Sequence, residues 1–114
     1  MIIWERARAA LVGIGLPVAA NTIVVASGSD YPDQYLVYQM ISNPPLLHGD
    51  DVELVRRYRM QVNFFSRTGL DSIPAQIETA MLAAGFTRLE GREIPYNQDT
   101  RHFGLSMDFN YLED

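Results

Sequence analysis

The stretch RRYRMQVNFF, residues 56 to 65, sets three arginines among large apolar side chains. In an extended strand, successive side chains point to opposite faces. Tyr58, Met60, Val62 and Phe64 then share one face, while Arg57, Arg59, Gln61 and Asn63 share the other. The first face requires a core. The second requires solvent, nucleic acid or another protein, and the choice among these is most of the functional question.

The segments around this strand place it in a sheet. Phe103, Leu105, Met107, Phe109 and Tyr111 alternate with His102, Gly104, Ser106, Asp108 and Asn110, the pattern of a half-buried strand. Strands are also expected over Asn21–Ala26, which is rich in β-branched residues, over Tyr35–Ser42, over Val52–Phe65 and, briefly, over Phe86–Glu90. Ile3, Ala7, Ala10 and Leu11 recur at helical spacing, giving a helix over residues 2 to 12 that Gly13, Gly15 and Pro17 end. A second helical stripe comprises Ile73, Ile77, Ala80, Met81 and Ala84. Asp71 or Ser72 can cap it, Pro74 suits its first turn, and Gly85 followed by Phe86 stops it.

The remaining stretches read as connections. SGSDYPD (27–33) is a turn, NPPLLHGDD (43–51) a loop forced by paired prolines, and Gly91–Thr100 a turn or hairpin connection containing Pro95. The expected fold is one α+β domain over residues 1–114, a mostly antiparallel sheet of four to five strands with two helices packed on one face. The arginine side of the third strand is then exposed in the monomer.

Composition narrows the function. The net charge is −5, and all nine basic residues are arginine, a balance that disfavours a dedicated nucleic-acid binder. Arginine does suit bidentate pairing at protein interfaces. Cysteine is absent, which removes disulfides, thiolate catalysis and cysteine metal sites. The apolar run Ala9–Val25 is interrupted by glycine, proline and asparagine, so no membrane span or membrane partner is expected. No serine lies in a G-x-S-x-G elbow, and GIGLP (13–17) lacks the G-K-[ST] of a phosphate loop. His48 with Asp50, Asp51 and Glu53 can be read as a divalent metal site or as a solvated turn; His102 reads as a surface residue. Arg56, Arg57, Arg59 and Arg67 can face phosphates, solvent with cross-strand partners such as Asp108, or a neighbouring subunit. The assembly reading takes Arg57, Arg59, Gln61, Tyr35 and Tyr38 as subunit or docking candidates. No cofactor and no catalytic residue is expected.

The order of LVGIGLPV (11–18), YPDQYLVYQ (31–39), VELVRRYRMQVNFFSR (52–67), IPAQIETAMLAAGF (73–86) and YNQDTRHFGLSMDFNY (96–111) resembles the tail completion or tail terminator proteins of long-tailed bacteriophages. The resemblance covers most of the chain and rests on order and length, since no stretch is a signature alone. It implies a non-enzymatic virion protein, assembled in the host cytoplasm, that forms a six-membered homo-oligomeric ring between the tail tube protein and the head connector. A heterologous interface on each subunit can close such a ring. His48, Asp50, Asp51 and Glu53 would then sit on a projecting loop or face the channel, where acidic groups keep passing DNA from adhering. An amino-terminal segment preceding the first helix in relatives would be missing here. Two other readings stand beside this one, a metal-dependent enzyme or module built on the His48 loop and a protein-binding adaptor that forms no ring.

Overall fold

The computed structural model describes residues 3–21, 23, 30–42, 45–49, 52–70 and 72–113, with the backbone alone at 42, 45–49, 52–57 and 113. In chain order the elements are α1 (Ile3–Val12), β1 (Val18–Ala20), β2 (Gln34–Ser42), β3 (Pro45–Gly49), β4 (Val52–Ser66), α2 (Ile73–Ala83), β5 (Thr87–Asn97) and β6 (His102–Glu113). The strands form one sheet in the order β1-β2-β4-β6-β5, and β3 pairs with β4 off that path. Only the β1–β2 pairing is parallel among these strands. This is the expected α+β fold.

β4 is the central strand because both of its faces find work. Leu36, Tyr38 and Met40 of β2 and Leu105, Met107 and Phe109 of β6 stand in register with Phe64, Val62 and Met60 on one side. That side meets Ile3, Ala7 and Leu11 of α1 and Ile77 and Met81 of α2 in a single core. Met60, Val62, Phe64, Met107 and Phe109 are fully buried there. The apolar parity read from the sequence for both long strands is the observed one.

Two departures lengthen the sheet. Residues 45–49, expected as loop, form β3, because Pro45 sits at the start of the strand, where its missing donor is tolerated. Residues 91–97, expected as a turn, belong to β5, with Pro95 inside a register shift between Ile94 and Asn97 that spares the ladder. The true turn is tight: the Asn97 side chain accepts bonds from the amides of Asp99 and Thr100, and Arg101 adopts φ 63°. The strand expected over Asn21–Ala26 is not formed at Asn21 or Ile23; its other residues, apart from Ile23, lie outside the described ones, and β1 lies earlier, at Val18–Ala20.

The second helix stops as its sequence demands. Gly85 has φ 98°, the Phe86 amide donates to the Met81 carbonyl at 3.0 Å, and the Phe86 ring packs against Tyr111. A Cβ at Gly85 would stand 3.1 Å from the Tyr111 ring, so the left-handed backbone and the packing both select glycine. Arg6 of α1 donates to the Ala84 carbonyl at 3.1 Å and lies over the Tyr111 ring, tying the helices to the end of β6. Ser72 precedes α2 but makes no side-chain cap bond to its backbone, and Asp71 is outside the described residues.

Truncating Phe64 at the centre of this core, Phe64→Ala, is expected to cost about 3–5 kcal/mol of unfolding free energy. Truncating exposed Leu82 to alanine should cost far less, about 0.5 kcal/mol. Urea denaturation of both variants checks the difference.

Candidate interface on the polar face of the sheet

The odd-numbered side of β4 is less open than its arginines suggest. Arg59 donates to the Asp108 carboxylate at 2.6 Å and stands 3.5 Å from Glu90. Gln61, directly opposite Asp108 in the β4–β6 register, donates to the same carboxylate at 3.4 Å. Its own oxygen accepts from Gln39 at 3.0 Å and from Asn63 at 3.3 Å. A polar ladder therefore runs across the sheet from β2 through β4 to β6, and Glu90 of β5 approaches its far end.

Burial separates its members. The Asp108 side chain is only 5% exposed, whereas that of Arg59 is 35% exposed and that of Glu90 65%. The Asp108 hydrogen bond, then its charge, hold the Arg59 guanidinium above its ordinary pKa, so Arg59 stays a cation. The cross-strand partner weighed for Asp108 is the one observed. Arg59 is thus committed within its own subunit, and the face expected to be exposed is only half open.

Tyr35 and Tyr38 do not present the surface expected of interface residues. Tyr38 points to the helix side and joins the core, while Tyr35 on the opposite side stacks on Phe65 with ring centroids 4.9 Å apart. Their places follow from parity, since adjacent odd and even positions of β2 face opposite ways. Burial raises the Tyr35 phenol above its ordinary pKa.

His102, read as a surface residue, is 1% exposed. Its Nε2 lies 2.8 Å from the Pro32 carbonyl oxygen, which can only accept, so Nε2 carries the proton. The ring is edged by Tyr31 and Tyr35. Arg67 bonds Asp30 at 2.8 Å, Asp33 at 3.2 Å and the Thr100 carbonyl at 2.9 Å. His102 and Arg67 together fasten residues 30–33 to the β5–β6 turn. The paired aspartates of SGSDYPD were the available signal for this clamp, but nothing local names their partner.

Arg57 pairs with Leu112 in the β4–β6 register, and its side chain lies outside the described residues, as does that of Arg56. His48 and Glu53 pair in the β3–β4 register; their side chains, and Asp50 and Asp51 entirely, are outside the described residues. Among the described residues no group of three or more His, Asp or Glu converges as a metal shell. No helix of the described residues is long and apolar enough to cross a membrane. Comparison with known protein families finds no matching family model, and comparison with curated proteins finds no match.

Two outcomes test this geometry. Arg59→Ala strands a buried carboxylate, whereas Asp108→Ala leaves a guanidinium that water reaches, so urea midpoints should fall further for Arg59→Ala at neutral pH. The hydrogen bond from Arg67, then the Tyr31 amide, hold the Asp30 carboxyl below its ordinary 3.8. A depressed folded-state value gives stabilisation that is complete above 3.8 and lost as pH falls below it. Asp30→Asn should remove that acid-side loss, read from tyrosine near-ultraviolet dichroism across an acid titration.

Proposed function

We propose that this chain is a non-enzymatic assembly protein that closes a homo-oligomeric ring, in the manner of a phage tail completion protein. The observation that carries the proposal is the ribbon of β3 and β4. β4 extends over Val52–Ser66, but its pairing with β6 begins at Arg56 and its pairing with β2 at Arg59. Val52–Val55 are paired with β3 alone among the described strands, and the molecule measures 55 × 29 × 25 Å. A two-stranded ribbon is marginal in water by itself, so a projecting one gains stability by lying on a partner.

The ribbon belongs to a body in which Arg59, Arg67 and Arg88 are already paired with carboxylates, and in this proposal it is the arm toward the next subunit. A head-to-tail contact of this kind closes into a ring when the rotation between copies allows it. The ring, six-membered in this proposal, caps the tail tube and meets the head connector in the virion, after assembly in host cytoplasm. In this proposal Asp50, Asp51 and Glu53 face the channel or the tube, close to passing DNA without binding it.

Light scattering coupled to size exclusion, with negative-stain imaging of tail tubes, tests the proposal. The intact chain should form rings alone or on purified tubes. Replacing residues 45–55 by a short glycine-serine turn should abolish capping while circular dichroism shows a folded body. Arg57→Glu should weaken capping without unfolding, unlike Arg59→Glu, which sets a carboxylate beside Asp108. A chain that never joins tubes, or a ribbonless variant that caps normally, would overturn the proposal.

A further inference from the structure

β5 turns two charges toward the helix side of the sheet, and only one of them is answered. Arg88 and Glu93 stand opposite Phe109 and Leu105 in the β5–β6 register, the set of β6 residues that meets the core. α2 supplies Glu78 to Arg88 at 3.3 Å. Glu93 is exposed, and among the described residues no cation pairs with it.

Glu93 is one wall of a crevice of about 510 Å³ lined also by Leu70, Pro95, Tyr96 and Phe103. The Tyr96 and Phe103 rings lie 4.8 Å apart, and each remains 46% exposed. A carboxylate beside open aromatic rings suits a cation on an apolar stem, because the ring faces attract the charge and the carboxylate pairs with it. Arginine fits both parts, since its planar guanidinium stacks on a ring and bonds a carboxylate at the same time.

The chain carries a matching group elsewhere. Its nine basic residues are all arginine, and Arg6, Arg59, Arg67 and Arg88 are engaged within the subunit. Arg8 of α1 is exposed and has no carboxylate partner among the described residues. It stands one turn from Trp4 and one turn from Val12, which are 50% and 52% exposed. A cation framed by apolar side chains is the complement of a carboxylate framed by rings. Arg92 and Arg101 belong to β5 and its turn, at the crevice's own edge.

Arg8 and the crevice occupy opposite edges of the molecule. Trp4 lines a crevice with Ala20, Asn21 and Met40 at the β1–β2 edge, whereas Arg6 and Ala10 face α2. Arg8, on the Trp4 side of α1, is therefore turned toward the β1–β2 edge. β5 closes the other edge, four strand spacings or about 19 Å away. Complementary features on opposite edges are joined by a head-to-tail step, which leaves each copy with one of the two free for the next.

We infer that Arg8 of one copy of this chain enters the Glu93–Tyr96–Phe103 crevice of the next copy, its guanidinium paired with Glu93 and stacked on the open rings, with Trp4 and Val12 covering the rim. The contact deepens the ring reading given above and rests on it for closure, but uses none of the β3–β4 ribbon.

The test follows the full chain by sedimentation velocity up to about 1 mM, a concentration that registers even weak association, and by capping of purified tail tubes. Arg8→Glu and Glu93→Arg, both at exposed positions, should each weaken self-association at least about tenfold and reduce capping, with circular dichroism and urea midpoints unchanged. An equimolar mixture of the two variants should associate again, because the reversed charges meet each other at one contact and the native charges meet at the next. The double variant should recover association by itself. Wild-type assembly that both single variants match overturns the inference and leaves the ring reading in place. Loss in the single variants that neither the mixture nor the double variant restores overturns the pairing of Arg8 with Glu93. A chain that stays monomeric in solution and on tubes overturns both the inference and the ring.

Discussion

The alternation of β4 between two faces is the constraint from which the other contacts follow. Its pairing with β6 runs unbroken from Arg56–Glu113 to Ser66–Phe103, so a one-residue slip would move every core side chain to the polar face. With that register held, Met60, Val62 and Phe64 meet the helices, and Arg59, Gln61 and Asn63 fall opposite Asn110, Asp108 and Ser106. Burial of the first set supplies the stability, and the second set makes the slipped alternatives costly. In this register the buried Asp108 carboxylate meets both Arg59 and Gln61.

The same register explains where the molecule is closed and where it is open. Arg59 and Arg67, which a charge count would offer to phosphates or neighbours, are spent on Asp108 and on Asp30 and Asp33. Among the described residues the exposed surface includes large rings, Trp4, Tyr96 and Phe103. Tyr96 and Phe103 pack on each other across the β5–β6 hairpin, so part of that surface is already self-covered. On the proposed assembly reading, exposed aromatic rims are therefore better placed than Arg59 and Arg67 to meet a partner.

Glycine marks the places where the layers come closest. A Cβ at Gly104 would stand 2.9 Å from Ile94 and 3.2 Å from the Phe65 ring, so the strand pair closes over an aromatic only because that position is bare. Gly85 plays the matching part on the helix side against Tyr111. Both glycines bring β6 into contact with its neighbours at either end, and both support the central register rather than a ligand.

Sequence by itself determined the two helices, the parity of the long strands and the helix stop at Gly85–Phe86, because each is written in local periodicity or in a backbone angle that few residues accept. It also supplied the pairing of Arg59 with Asp108 as one of several choices. Only the tertiary structure decided among them, since two strands forty-nine residues apart in sequence meet through packing and not through any local signal. The same holds for His102: alternation placed it on a polar face, but the Pro32 carbonyl and two tyrosine rings arrive from a distant turn and bury it. Proline likewise misled locally at Pro45 and Pro95, because a missing donor matters only when a neighbouring strand requires it, and that is settled by sheet order.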